Sequence, residues 1–488
     1  MLSRFLTVST LATLAFAATG SEYHAACEAV EATVSNASKV YYPGNLLYTK
    51  GIYHPTASSQ ESPACVVEPG TPEDVGRILN VINAMKTPFA VKSGGHTMNP
   101  GFSSTKGIHI YTGKFSQVTY DAASGTAVIG TGLIWDNVYQ RLQEHHVNVV
   151  GGRVTGVGVG GLLLGGGYSY KTNQYGLSID SIVGFNLVLP NGTVAYVTQS
   201  AHPDLFFGLK GGFNNFGIVT DFTMNTFPQT EVWGGQIMYP FTQFNEVRAA
   251  IADFSADSQD PKAAILPSYI SYQGNHIINQ GIFYDGPNPP PGTFDNFTNI
   301  LSVSSDLKTR SYVDMILSSP ANSTAGLRGS FQMLGVSHFS QTLLEAVEEE
   351  LKYWTVKLTP KGGSFFSYSI EPFLPNYLSH PNSPSAFPTP AARNLGKAPN
   401  PLLISFGWID SFYDDEFVGA VEESANRLAA MAEAEGLLSD HPLALYGNYV
   451  NSRTPLVDIY GDNLPRLRAL RAEIDPEDVM GLSGGFRF

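Results

Sequence analysis

An α+β chain is predicted, in which short strands and helices alternate without a sustained βαβ repeat. Three observations predict it. From Ala64 to about Pro228, short strand-like runs are separated by helix-like stretches of uneven length. Asn191-Gly192 lies between the apolar runs Val183–Leu189 and Thr193–Thr198, and this dipeptide favours the tight turn of an antiparallel hairpin. Beyond residue 231 the strand and helix candidates lengthen and are separated by proline-rich loops, Pro287–Pro291 and Pro375–Pro401.

Thr71 is placed to cap a helix over Pro72–Met85, with Glu73 and Asp74 in the first turn, where the helix dipole favours acids. Strands are expected at 88–92, 108–111, 116–121 and 126–130, and a helix over Ile134–His145. Beyond the hairpin, Asp204–Lys210 reads as a short helix and Ile218–Phe227 as a strand. Val418–Glu435 is an Ala/Glu-rich amphipathic helix, and another lies near Asn463–Glu473, ahead of Asp475-Pro476. A chain of 488 residues has room for two or three domains. The expected division is an N-terminal segment 18–60, a unit over 61–230, a second over 231–440 and a C-terminal segment 441–488.

Composition excludes several classes of function. The formal charge is −14 and no Lys/Arg stripe is present, so neither nucleic acid nor an anionic membrane surface is an expected partner. Arg4 precedes an apolar stretch, Phe5–Ala18, with Ala15-Phe16-Ala17 as a small-x-small cleavage pattern; residues 1–17 read as a signal peptide and the mature chain as secreted. Cys27 and Cys65 are the two cysteines of the chain, and an even count in a secreted protein suggests one disulfide. Closing that loop contributes roughly 4 kcal/mol on the chain-entropy model. Asn36, Asn191, Asn296 and Asn322 each head an Asn-x-Ser/Thr sequon open to glycosylation in that compartment. No zinc or iron–sulfur spacing is present.

The chemistry concentrates in two glycine-rich segments. In Val91–Gly101 an apolar run ends in Ser93-Gly94-Gly95, where backbone N–H groups can converge on a phosphate, and His96-Thr97 follow directly. The other reading is a glycine turn with an incidental histidine. Gly151–Gly176 contains Gly156-x-Gly158-x-x-Gly161 with Asp180 downstream, which satisfies the dinucleotide fingerprint. A Rossmann turn must open a long helix, however, and Gly165-Gly166-Gly167 interrupts this one, at about 2–3 kcal/mol of lost helix propensity. Backbone lying flat against a large planar or phosphorylated ligand explains the run better. Backbone packed on backbone is the alternative.

These motifs, with Gly165-Gly166-Gly167-Tyr168, Tyr175-Gly176-Leu177, Pro203-Asp204-Leu205-Phe206-Phe207, Gly211-Gly212-Phe213-Asn214-Asn215-Phe216-Gly217-Ile218, Asn448-Tyr449 and Asp475-Pro476, resemble in order and spacing the FAD-linked oxidases of the berberine-bridge-enzyme type. These belong to the PCMH, or vanillyl-alcohol-oxidase, flavoprotein superfamily, and the likeness extends to its secreted, fungal-type members. The resemblance implies a two-subdomain PCMH-type FAD-binding domain plus an antiparallel-sheet substrate domain covered by helices. It implies FAD held by Ser93, Gly94, Gly95, Thr97, Val154, Val157, Gly158, Gly160, Gly161, Ile218 and Asn448, and covalently bonded to His96. Many relatives add a second bond through a cysteine; Val154 stands there, so a monocovalent flavin is expected. An aromatic of many relatives is Met98 here. Val157 stands where relatives admit or exclude dioxygen, although packing explains a valine equally well.

Tyr449 matches the relatives' general base and Tyr168 an aromatic over the same site. A phenol with a pKa near 10 needs a cation or the flavin field to act at pH 7. Its partners are sought near Leu402–Trp408, where the sequence does not clearly supply them. Core packing is the competing explanation of Tyr449. The expected protein is a monomeric oxidase that passes electrons from a small organic substrate through FAD to dioxygen, giving hydrogen peroxide, in secondary-metabolite tailoring. The apolar, aromatic stretch Phe365–Phe387 favours a hydrophobic substrate. A carbohydrate or alcohol oxidase, or a flavin-dependent or flavin-templated cyclase, is the alternative.

Overall fold

The computed structural model describes residues 23–319, 324–380, 383–393, 398–438 and 445–488; residues 1–17, expected to be a signal peptide, and Asn322 lie outside them. The first sheet consists of β1 (Lys39–Tyr41), β2 (Cys65–Glu68), β3 (Phe89–Lys92) and β4 (Ile108–Tyr111), in the order β1-β2-β4-β3. β4 runs parallel to both β2 and β3, which requires a crossover, and α1 (Pro72–Met85) supplies it between β2 and β3. Thr71 Oγ1 caps α1 by accepting from Asp74 N at 3.1 Å, as its position suggests. The helix lays Val75, Ile78, Leu79 and Ile82 on Val67, Phe89, Ile108 and Ile110. Residues 23–33 are helical, and the disulfide Cys27–Cys65 ties them to β2.

The second sheet is antiparallel: β5 (Val118–Asp121), β6 (Thr126–Gly130), β7 (Ile182–Val188), β8 (Val194–Val197) and β9 (Ile218–Asn225), ordered β5-β6-β9-β7-β8. The Asn191-Gly192 turn joins β7 to β8 with Val188 opposite Val194, and Gly192 has φ +84°. Two expectations shorten. The strand expected over Ile218–Phe227 breaks at Thr226, whose N–H turns to Gly125 O at 2.9 Å, and the helix expected over Ile134–His145 is α2, Trp135–Gln143. In the second glycine-rich segment the glycine fingerprint opens only a short helix, α3 (Val159–Gly165), and a separate single turn of helix follows at Thr172–Tyr175. Gly166 (φ +134°) and Gly167 (φ +87°) end α3, so no Rossmann helix forms.

The third sheet is built on β10 (Val232–Pro240), β11 (Ala263–Tyr272), β12 (Asn275–Tyr284), β13 (Arg328–Val336), β14 (Gly363–Ile370) and β15 (Asn400–Trp408), ordered β10-β12-β11-β14-β15-β13. All these pairs are antiparallel. The two-residue period divides its faces. Tyr269, Phe366, Tyr368, Ile404, Phe406 and Trp408 pack into one core with α4 (Phe244–Asp257), α5 (Gln341–Leu358) and α6 (Asp414–Ala434). Leu266, Phe331, Ser369 and Leu403 face the other way. α6 starts four residues ahead of the expected Val418 because Asp414, Asp415 and Glu416 form a favourable acidic first turn. The C-terminal segment, with α7 (Leu464–Ile474), returns to the first sheet, where Ser483 pairs with Phe89.

Candidate active site

A cavity of about 350 Å³ lies between the two smaller sheets and the open face of the third. Ser93, Gly94, Gly95, His96, Thr97, Val154, Val157, Gly158, Gly160, Gly161, Tyr168, Ile218, Asn448 and Tyr449 all line it. Residues separated by more than 350 positions in the chain thus meet at one site.

The cradle is built at the end of β3. Ser93 Oγ donates to Thr131 O at 2.5 Å and accepts from Gly160 N at 3.2 Å, joining the first glycine loop to the second. Gly94 and Gly158 approach so closely that a Cβ on Gly158 would lie 2.3 Å from Gly94 N. Backbone therefore does pack on backbone there. A Cβ on Gly161, in contrast, meets nothing within 4 Å, so this wall presents peptide groups with no side chain in front of them. That surface fits a flat, phosphate-bearing group such as FAD.

Beyond Gly95 (φ +71°), the His96 imidazole is open to the cavity although it sits deep in the protein. Burial lowers its pKa from the usual imidazole value, so the ring is neutral at pH 7 with a lone pair available. Thr97 is fixed on both sides: its carbonyl accepts from Ser59 Oγ at 2.6 Å and its hydroxyl from Asn99 N at 3.1 Å. Met98 is buried against Gly329 of β13, where a Cβ would lie 2.8 Å from its sulfur. Asn448 donates to Gly161 O at 3.3 Å and to Tyr446 Oη at 2.8 Å, and Gly167 N donates to that same phenol at 3.0 Å. The 446–449 turn is therefore bonded to both ends of α3.

Tyr449 has partners that sequence reasoning missed. Its hydroxyl donates to Glu371 Oε1 at 2.9 Å, and Arg153 Nη2 donates to its oxygen at 3.0 Å. Arg153 Nη2 also reaches Glu371 Oε2 at 2.6 Å. Glu371 follows β14, and Arg153 stands in the loop between Gly152 and Gly156; neither is on the strand near Leu402–Trp408 where partners were expected. Burial raises the Tyr449 pKa well above 10, Glu371 adds to the rise, and Arg153 opposes it without prevailing. The phenol is neutral at pH 7. Its oxygen can accept a proton only as its own proton moves toward Glu371. Tyr168 stacks on Phe373 at 5.1 Å and lies 6.0 Å from Tyr449, and burial likewise raises its pKa.

The stretch Phe365–Phe387 reads differently in three dimensions. Phe365, Phe366, Phe373 and Phe387 are buried, and none of them lines the cavity. Phe366 faces the helix-covered core, Phe373 and Phe387 back Tyr168 and Tyr446, and Phe365 packs beside Gly407 of β15. The apolar cavity wall beside Glu371 comes from Leu266, Phe331 and Leu403, with Ser369 among them.

Residues 63–198 match the family model described as an FAD binding domain. Over 92% of its length the chain is 32% identical to an FAD-dependent monooxygenase from Aspergillus calidoustus, of which the match covers 87%. The structure of 6-hydroxy-D-nicotine oxidase from Arthrobacter nicotinovorans superposes with a TM-score of 0.74 at 20% identity, over 92% of this chain and 97% of that one. Glucooligosaccharide oxidase from Acremonium strictum, which carries 6-S-cysteinyl, 8α-N1-histidyl FAD, superposes with a TM-score of 0.74 at 17% identity, over 92% and 97% of the two chains. These superpositions establish the fold.

Proposed function

This chain belongs to the FAD-linked oxidoreductases of the berberine-bridge-enzyme type, and on that premise we propose that it binds FAD covalently through His96 alone and oxidises a small organic substrate at Tyr449. The observation that carries the reading is that the glycine cradle with His96 and the Tyr449–Glu371 pair open onto one cavity. Bound there, FAD supplies a two-electron acceptor.

Backbone groups of Ser93–Gly95, Gly158, Gly160 and Gly161 hold the diphosphate. Thr97, Val154, Val157, Ile218 and Asn448 shape the rest of the pocket. A second bond through cysteine has no candidate, since both cysteines of the chain are joined in the disulfide. Tyr449 accepts the proton of a substrate O–H while its own passes to Glu371, and Tyr168 walls the same end. The chain therefore removes a proton without a free phenolate.

Dioxygen is the proposed final acceptor, yielding hydrogen peroxide. Leu266, Phe331 and Leu403 beside Glu371 favour an apolar ring over a sugar, which would call for more amide and carboxylate partners. Secretion is supported by the disulfide and by the exposed Asn36, Asn191 and Asn296. The same proposal keeps the division of the chain near residue 230 and a monomeric state.

Acid-precipitated wild-type protein stays yellow, and His96→Ala releases the colour to the supernatant; a yellow mutant pellet refutes the attachment. Aromatic polyketides, alkaloids and sugars are then screened for peroxide release under ¹⁸O-labelled dioxygen. The name of the Aspergillus relative favours a second reading, monooxygenation. Label in the product selects it, and unlabelled product with stoichiometric peroxide selects the oxidase.

A further inference from the structure

We propose that Arg153 is the positioning residue of the proton-accepting pair: it holds the Glu371 carboxylate in place and turns the Tyr449 hydroxyl so that its proton points at Glu371 and a lone pair points at the substrate. The inference rests on the proposed function for its consequence and on a closed triangle of contacts for its geometry. One guanidinium nitrogen lies 2.6 Å from Glu371 and 3.0 Å from Tyr449, whose oxygen lies 2.9 Å from Glu371.

A guanidinium only donates and a phenol has one proton. With Arg153 donating to the Tyr449 oxygen, the phenol proton has Glu371 as its acceptor, and one lone pair is left for the cavity. The direction of transfer, substrate to Tyr449 to Glu371, is set before substrate arrives.

The charge argument agrees. The Arg153 and Glu371 side chains are 6% and 2% exposed. A buried carboxylate that loses its paired cation favours the protonated form, in which it no longer accepts a proton. Among the described residues, the other titratable groups that sense Glu371 are the phenols of Tyr168, Tyr170, Tyr377 and Tyr446, all raised above their usual 10 by burial and so neutral. The charge balance at Glu371 therefore rests on Arg153.

The guanidinium is held in place from outside the pair. Its carbon lies 5.9 Å from the Tyr168 ring centroid and 5.8 Å from that of Phe373. The preceding glycines press on Trp135, where a Cβ on Gly151 would lie 2.3 Å from the indole, and Tyr139 donates to Gly152 O at 2.8 Å. A lysine would keep the charge and lose the planar fork.

The test compares wild type, Arg153→Met and Arg153→Met/Glu371→Gln as flavin-loaded, oxidised enzyme. Infrared spectra at pH 7 are expected to show a protonated-carboxyl band in Arg153→Met that is absent from the wild type and from the double variant. No new band in a folded Arg153→Met overturns the proposal. This readout needs no substrate, so it stands even if the oxidase reading fails. With a substrate in hand, the acid limb of anaerobic flavin reduction moves up by about one pH unit or more in Arg153→Met. A uniform loss of rate at every pH would mean that Arg153 is merely structural and would overturn it. If Arg153→Met does not fold, Arg153→Lys carries the test: a reduction rate lowered with little change in KM supports the positioning role, and an unchanged rate refutes it.

Discussion

A half-buried phenol that donates to a carboxylate and accepts from a guanidinium cannot work as a free base, and Tyr449 is such a phenol. In the proposed reaction its contribution is to relay a proton, which gives a clear expectation for Tyr449→Phe. The ring and its packing on Tyr446 and Tyr168 remain, while the relay is cut. Anaerobic flavin reduction should slow by roughly 10²–10⁴-fold with substrate binding little changed. A rate within about threefold of wild type, worth only about 0.6 kcal/mol of barrier, would remove Tyr449 from the chemistry. Much of the pocket was legible at this scale because short motifs signal it: the residues assigned to the cradle, together with His96, Tyr168 and Tyr449, line one cavity. Glu371 and Arg153 were not legible as partners. Each is a single residue whose meaning depends on a contact 218 positions away. A faint signal existed in both cases. Arg153 is the one charge in Gly151–Tyr170, and Glu371 is the one charge in Ser364–Ser379. A lone charge in an apolar or glycine-rich run needs a partner somewhere.

Elements were read well where caps and turns are local, as for α1 behind Thr71 and the hairpin at Asn191-Gly192. They were read less well where a distant partner decides the end, as at Thr226. The parallel pairing of β2, β4 and β3 was not visible at all, since it depends on which strands meet across a crossover. The two glycine loops provide a contrast that tests their separate roles. A Cβ on Gly158 would strike the Gly94 backbone, which has no flexible end to yield, whereas one on Gly161 meets open space. Gly158→Ala is therefore expected to lower the melting temperature and to leave the protein poor in flavin. Gly161→Ala should melt like the wild type, with any loss confined to flavin content. Equal melting temperatures for the two variants would contradict this account of the loop contact. The disulfide is a further element-scale device, because it anchors residues 23–33 to β2 across 38 positions. Cys27→Ser should cost up to roughly 4 kcal/mol in urea unfolding. A loss below about 0.5 kcal/mol would mean that packing of Ala26 and Val30 holds the segment unaided.

At the scale of the whole molecule, the sheets converge on a cavity whose supporting layer carries an acid-sensitive group of side chains. His109, on β4 of the first sheet, and His54 are both buried, with ring centroids 6.2 Å apart. Burial pushes their pKa values down to about 4 and about 3, and nearby Lys92, itself pushed down to about 8, adds to both shifts. Lys92 is the residue before the cradle, and a Cβ on Gly95 would lie 2.7 Å from its side chain and 3.0 Å from the His54 ring. The sign follows from which state binds protons. Between pH about 6.5 and about 4 the unfolded chain protonates both histidines while the folded chain keeps them neutral. Their contribution to stability is therefore complete above about pH 6.5 and is lost as the pH falls toward the folded values. Melting temperature should drop steadily from pH 7 to pH 4. His109→Gln, whose longer amide can donate to Gly51 O from the place of the imidazole Nε2, should flatten that slope. The comparison needs only thermal melts of the two proteins across the same buffers. An equal slope in wild type and variant would show that the acid sensitivity arises elsewhere.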